Sequence, residues 1–118
     1  LSSEQKNYYT TSISNSLNNE IKRHPYSVKL LELKSIIEIN TNDLKNGDAT
    51  LNNILVLSPN YTSAYMQKGR IALSQGRYND AISYYDTIIK SSPNYTPAKL
   101  FKIVALNLKD NTYDLRTG

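Results

Sequence analysis

The 118-residue sequence contains no cysteine and no tryptophan, and it has one histidine, four glycines and four prolines. The absence of cysteine excludes a disulfide scaffold, a thiolate metal site and a cysteine nucleophile. The single histidine, His24, leaves no second imidazole for a metal pair. No run of eighteen or more apolar residues occurs, so the sequence predicts no membrane-spanning helix.

The motifs of common catalytic sites are also missing. The sequence has no glycine-rich phosphate loop and no G-x-S-x-G elbow. Acidic pairs such as Glu32 and Asp43 are separated by most of a helix and indicate only surface charge. We therefore predict a protein that is not an enzyme and that holds neither a cofactor nor a metal ion.

The length fits one small domain or a piece of a larger array. Residues 1–6, with the sequence LSSEQK, include neither an initiator methionine nor the apolar core of a signal peptide. We therefore expect the chain to be a fragment of a longer protein.

A period of 34 residues runs through the sequence. The pentapeptide SPNYT occurs at residues 58–62 and again at 92–96. Two further sets share this offset, namely Pro25, Pro59 and Pro93, and Lys34, Lys68 and Lys102. So many matches at one offset indicate an internal structural repeat.

Within each period the apolar residues follow the spacing of an α-helix. Between residues 78 and 91 they recur every three or four positions and mark one face. This spacing and the turn residues predict helices over residues 2–23, 28–41, 44–57, 62–75, 78–91 and 97–109. No stretch alternates with a period of two, so no strand is predicted. Each period is a first helix, a tight turn, a second helix and a proline turn.

This unit resembles the tetratricopeptide repeat. The similarity is greatest over residues 62–95, where Tyr65 corresponds to the family's first aromatic residue and Gly69 to its close-contact glycine, while Tyr85 and Pro93 complete the pattern. The resemblance implies an all-α, right-handed α-solenoid of helix-turn-helix repeats with a period of 34 residues.

The same resemblance divides the chain. We predict a single tetratricopeptide-like domain over residues 1–118, with repeats at 28–61 and 62–95. Residues 1–27 are a partial repeat that supplies a second helix, and residues 96–118 are a partial repeat that supplies a first helix. A further second helix is expected to begin at residues 113–115.

In this family the first helices line a concave groove, and the resemblance implies a set of partner-binding residues. They are Lys29, Glu32, Ile36, Met66, Arg70, Leu73, Leu100, Val104 and Asn107. A peptide with apolar anchors and one acidic group would suit this set, since Met66 is adaptable and Arg70 can hold a carboxylate in two hydrogen bonds. For Ile36, Leu73 and Val104, packing in the core is the alternative.

One specific partner of the family is disfavoured. Repeats that capture the acidic tails of heat-shock chaperones use a clamp of lysine and asparagine side chains on successive first helices. The corresponding positions here hold Glu32, Ile36, Gln67, Pro97 and Phe101. The clamp is absent, so capture of chaperone tails is not expected.

The predicted function is a non-catalytic protein–protein interaction scaffold that binds a partner peptide in the groove. One alternative is an assembly subunit that self-associates through its ends, in particular through the exposed face of helix 97–109. The other is RNA binding, because residues 60–118 carry eight basic and four acidic side chains and the chain has ten tyrosines. Tyr65, Tyr78 and Tyr85 fit core positions and Tyr61 and Tyr95 fit turn positions, so nucleic acid is the less favoured partner.

Three packing details are also predicted. Gly69 and Ala81 are small enough to let the two helices of their repeat approach closely. Lys34, Lys68 and Lys102 are expected to pack their stems and extend their ammonium groups into water. The helix that contains Gly47 is expected to fray more than the helix over 78–91, because glycine is a poor helix former.

Overall fold

The computed structural model describes residues 2–117, and it describes side chains for residues 2–111. In this range the chain forms six α-helices and no strand, which confirms the predicted all-α fold. The helices are α1 (Ser3–Arg23), α2 (Val28–Asn40), α3 (Leu44–Leu57), α4 (Thr62–Ser74), α5 (Tyr78–Ser91) and α6 (Thr96–Thr117).

Helix α1 has clear local signals at both ends. The Ser2 hydroxyl accepts a hydrogen bond from the Gln5 amide at 3.1 Å, and the Gln5 side chain accepts one from the Ser2 amide at 3.0 Å. This reciprocal pair satisfies two amides that have no carbonyl partner inside the helix. The helix ends at His24, whose amide donates to the Glu20 carbonyl at 2.9 Å, directly before Pro25.

The turns after α2 and α4 have the same backbone geometry. Asn42 has φ 63° and Gly76 has φ 73°, and these two residues are separated by one 34-residue period. In each turn the amide that follows donates to a carbonyl five residues back, Asp43 to Glu38 and Arg77 to Ala72, both at 2.8 Å. A left-handed residue and this hydrogen bond are the usual way to end a helix.

Helix α6 is longer than predicted. The expected break before residues 113–115 is wrong, because the backbone stays helical to Thr117. Asp110 lies one period after Gly76. The helix continues through this position, whereas α4 ends just before Gly76. The side chains of residues 112–117 lie outside the described part of the structure.

The chain divides into two compact units, residues 1–60 and 61–118. In the first unit, α2 packs against α3, and α1 packs against α2. The buried residues of α2 and α3 are Leu31, Ser35, Gly47, Thr50, Leu51 and Ile54. A Cβ atom on Gly47 would lie 2.9 Å from the Ile39 side chain, so this glycine occupies a tight packing position. The greater fraying of α3 stays a prediction.

In the second unit, α5 packs against both α4 and α6. The centre of the unit is a cluster of fully buried residues around one tyrosine: Ala72, Ala81, Tyr85, Ile88, Ala98 and Ala105. The Tyr85 ring stacks on Phe101 of α6 with ring centres 5.8 Å apart. Four alanines leave the space that the large ring fills. That residues 1–118 form one domain with repeats at 28–61 and 62–95 stays a prediction.

Candidate functional site

The predicted groove residues of the second unit lie on regular faces of α4 and α6. Met66, Arg70 and Leu73 follow one another at four and three residues along α4, which places them on one side of that helix. Leu100, Val104 and Asn107 repeat the same spacing on α6. Both helices pack on α5, so the two sets belong to one compact unit.

Arg70 is exposed and weakly engaged. Its Nη1 donates to the Gln67 side chain at 3.4 Å, a long hydrogen bond. Among the described side chains no carboxylate lies within ion-pair distance of this guanidinium. Most of the donors of Arg70 are therefore available to an external carboxylate.

The apolar members differ in their exposure. Met66 and Leu73 are half-buried and pack against the core cluster. Leu100 is 57% exposed and Val104 is 44% exposed. Leu73 therefore packs in part against the core, whereas Val104 is exposed and does not belong to the core cluster.

The first unit holds the remaining three candidate residues, all on α2. Lys29 is exposed, while Glu32 and Ile36 are half-buried. The Glu32 carbonyl accepts a hydrogen bond from the Ser35 hydroxyl at 2.7 Å, which leaves its carboxylate uninvolved in that contact. Ile36 is thus neither a fully buried core residue nor a fully exposed one.

The three lysines of the repeat do not form a solvated row. Lys68 is only 6% exposed, and its Nζ lies 5.5 Å from the centre of the Tyr84 ring on α5. Lys102 of α6 forms an ion pair of 2.6 Å with Asp86 of α5. The prediction that all three ammonium groups extend into water is therefore wrong for Lys68, which is buried beside the Tyr84 ring, whereas Lys102 forms a partly exposed ion pair.

Tyr85 carries a buried hydroxyl with no hydrogen-bond partner in the described structure. Burial raises the pKa of Tyr85 to about 12, and the nearby positive charge of Arg70 opposes this rise. The phenol therefore stays protonated at neutral pH. Its position is structural, since Gly69 leaves the space that the ring occupies.

Sequence reasoning missed a crevice between α1 and α2 in the first unit. It has a volume of about 200 Å³, and a second cavity of about 200 Å³ shares three of its lining residues. The lining of the first is mainly polar and consists of Thr10, Ser14, Leu17, Asn18, Lys34, Ile37, Glu38, Thr41 and Asp43. One sequence signal pointed to it: Asp86, the partner of Lys102, is replaced by Asn18 two periods earlier.

Two kinds of feature are absent from the part of the chain that the structure describes. Over that range no three histidine, aspartate or glutamate side chains are grouped so that they could hold a metal ion. Among the same residues, no helix combines the length and the apolar character that crossing a bilayer requires.

Comparison with known proteins connects this geometry to a family. Residues 62–95 match the family model of the tetratricopeptide repeat. No curated protein matches the sequence. Among solved structures, the chain is similar to the MamA protein, with a TM-score of 0.76 and 19% identity over 86% of this chain and 55% of that one.

A MamA RS-1 ArsTM double mutant is similar to the same degree, with a TM-score of 0.75 and 18% identity over 86% of this chain and 57% of that one. The chain thus spans about half the length of these MamA chains. Tetratricopeptide repeats serve generally as scaffolds for protein–protein interaction and are typically non-catalytic. This chain therefore contains a tetratricopeptide repeat at residues 62–95 and has the all-α, helix-turn-helix fold of the α-solenoid class.

Proposed function

We propose that this chain is a non-catalytic scaffold that binds a peptide segment of a partner protein through the exposed faces of its first helices. The observation that carries the proposal is on the second unit, where α4 presents Arg70 and α6 presents Leu100 and Val104. All three side chains are exposed, and none of them is needed to fill the core.

The chemistry of these side chains indicates the chemistry of the peptide. Arg70 can hold a carboxylate by two parallel hydrogen bonds. Leu100 and Val104 lie one helical turn apart and offer apolar contact to one or two anchor side chains. Half-buried Met66 can adjust its rotamer to the anchor. The expected ligand is therefore a short peptide with apolar anchors and an aspartate or glutamate.

The remaining candidate residues extend this proposal to α2 and to the end of α6. Lys29, Glu32 and Ile36 are proposed to contact a partner on the first unit, and Asn107 to bind the peptide backbone next to Val104. Each of these contacts is open to a separate substitution test.

Selection of binding peptides from a random displayed library, followed by fluorescence anisotropy, tests the proposal. We expect the selected peptides to combine apolar residues with an acidic residue, and to bind Arg70→Gln and Leu100→Asp about tenfold or more weakly. The matched control is Lys90→Gln, at an exposed position of α5, and it should bind as the wild type does. Equal affinity for all four chains would rule out this face.

Self-association through α6 is a second candidate, favoured by two further exposed residues of that helix. Ile103 is 53% exposed and Leu106 is 38% exposed, next to Leu100 and Val104. Light scattering after size-exclusion chromatography should then give a mass that rises with concentration, and Ile103→Asp should abolish the rise. A constant monomer mass at every concentration would refute this candidate.

RNA binding is disfavoured by the contacts of two lysines. It depended on basic side chains in the second half of the sequence, yet Lys68 is buried and Lys102 is paired with Asp86. Both ammonium groups would have to leave these contacts to reach a phosphate.

A further inference from the structure

The two units differ at one equivalent pair of positions. In the second unit, Lys102 of α6 bridges to Asp86 of α5 with an Nζ–Oδ1 distance of 2.6 Å. Two periods earlier the same positions hold Lys34 on α2 and Asn18 on α1. Asparagine is neutral, so the first unit lacks the carboxylate that balances the lysine in the second.

A cavity occupies the place of the missing ion pair. Lys34 and Asn18 both line the crevice of about 200 Å³ between α1 and α2. Thr10, Ser14 and Thr41 add three hydroxyl groups to its wall, while Leu17 and Ile37 supply apolar surface. The wall of the crevice therefore brings hydrogen-bonding groups and a smaller number of apolar side chains together around one cavity.

Lys34 is available to a ligand. Its side chain is half-buried, and among the described residues no carboxylate lies within 4.0 Å of its ammonium group. The Asn18 amide can donate hydrogen bonds, which the Asp86 carboxylate cannot do. Together Lys34 and Asn18 therefore form a donor pair for an incoming carboxylate.

Glu38 is the opposite charge in the same crevice, one helical turn further along α2. Its Oε1 accepts a hydrogen bond of 2.6 Å from the hydroxyl of Thr50, which is 3% exposed on α3. This bond engages one of the two carboxylate oxygens and leaves the other able to accept from a ligand. Asp43 is engaged separately, since its Oδ2 accepts from Asn46 at 2.8 Å.

We propose that the crevice between α1 and α2 binds a free amino acid, with the ligand carboxylate at Lys34 and Asn18 and the ligand ammonium at Glu38. A simple anion would face the carboxylates of Glu38 and Asp43, and a simple cation would face Lys34, so a ligand that carries both charges matches the lining better than either ion alone. Four helical residues rise about 6 Å, which suits a ligand whose two charges are close together. This inference concerns the first unit and does not depend on the proposed peptide binding.

Isothermal titration calorimetry on the whole chain tests the inference with five probes. Glycine, β-alanine and 4-aminobutyrate separate the two charges by one, two and three methylene groups, while acetate and methylammonium carry one charge each. We expect saturable binding of at least one zwitterion and binding of the two single ions that is about tenfold or more weaker.

Two substitutions and one control make the test specific. Lys34→Gln and Glu38→Gln remove one charge each, and the glutamine carbonyl at 38 can still accept from Thr50, so the helix contact survives. Each should weaken the bound zwitterion about tenfold or more. Lys22→Gln, on an exposed position of α1 outside the crevice lining, should leave the affinity unchanged.

Three results would overturn the inference. They are the absence of binding for all three zwitterions, equal binding of acetate and the best zwitterion, and unchanged affinity in both crevice variants. Circular dichroism of each variant should show the helical content of the wild type, which separates a lost site from a lost fold.

Discussion

The ring of Tyr85 occupies the space that a side chain on Gly69 would need. A Cβ atom built on Gly69 would lie 2.4 Å from Cε1 and 2.5 Å from Cζ of the Tyr85 ring. Tyr85 is fully buried in the core of the second unit, so the ring cannot move into solvent. The atoms nearest to a Cβ at this glycine therefore belong to an aromatic ring on α5.

Gly69→Ala should lower the free energy of unfolding. Overpacking a core costs about 1–3 kcal/mol, occasionally more, and the contact here is severe. The better helix propensity of alanine recovers about 1 kcal/mol at most, so the net effect is a loss. Urea denaturation followed by circular dichroism measures it.

A double-mutant cycle identifies the cause of that loss. The first unit has Ser35 and Leu51 at the positions of Gly69 and Tyr85. Leucine thus accommodates a small side chain opposite it, and Gly69→Ala should cost less in a Tyr85→Leu background than in the wild type. If the cost of the alanine is the same in both backgrounds, the Tyr85 ring is not its cause.

Tyr85→Phe removes a buried hydroxyl that has no hydrogen-bond partner in the described structure. The stacking on Phe101 is kept, and the desolvation cost of the hydroxyl disappears. We expect the free energy of unfolding at neutral pH to rise by about 1 kcal/mol. A clear decrease would mean that the hydroxyl has a partner, such as a buried water molecule.

The same variant should change the pH dependence of stability. Burial raises the pKa of Tyr85 from 10.0 to about 12, so between these values the folded chain binds more protons than the unfolded chain. The contribution of this raised pKa to the free energy of unfolding is complete below pH 10 and is lost as the pH rises through about 12. The total loss is about 2–3 kcal/mol. The difference in free energy of unfolding between the wild type and Tyr85→Phe, measured by urea denaturation from pH 9 upward, separates the effect of Tyr85 from that of the other tyrosines. A difference independent of pH would contradict the raised pKa.

Gly76→Ala should destabilise the second unit through the backbone alone. No atom lies within 4 Å of a Cβ added there, yet φ is 73°, where L-residues lose about 1–2 kcal/mol. Gly76→Asn should cost less, because Asn42 adopts the same conformation one period earlier with φ 63°. Thermal unfolding of the two variants compares them directly. If Gly76→Ala and Gly76→Asn lose the same stability, the left-handed backbone conformation is not the cause of the loss.

Asp86→Asn gives the second unit the asparagine that the first unit has at the equivalent position, Asn18. The ion pair it removes is partly exposed, with side-chain exposures of 35% for Lys102 and 49% for Asp86. We expect a loss of only about 0.2–1 kcal/mol, smaller at high salt. Lys102→Gln in the Asp86→Asn background should cause little further loss of stability, because the ion pair is already gone. A loss that does not change with salt would indicate a packing role for Asp86 instead of an ionic one.

The helices were predictable because their signals are local. The spacing of apolar residues from 78 to 91 repeats every three or four positions, and the turns around Gly76 and Pro93 stop the helices nearby. Five of the six helices therefore begin and end close to the predicted bounds. The exception is the end of α6, which continues past residue 109 to Thr117.

The candidate site was predictable only in part. Position along a helix placed Arg70, Leu100 and Val104 on defined faces, but exposure depends on which neighbours cover those faces. Lys68 shows the limit, because its charge suggested a solvated surface while packing against Tyr84 buried it. The crevice at Lys34 was missed for the same reason, since it exists only where α1 and α2 meet.

The sequence by itself determined the 34-residue period, the helix-turn-helix unit and the residues that punctuate it, because these depend on neighbours within a few positions. The tertiary structure decided which small residue faces which ring, where a lysine finds its carboxylate and where a cavity is left instead. Gly69 and Tyr85 are sixteen residues apart, as are Lys102 and Asp86. Contacts at that separation depend on how two helices pack against each other. That packing is determined by the volume and charge of the side chains across the interface.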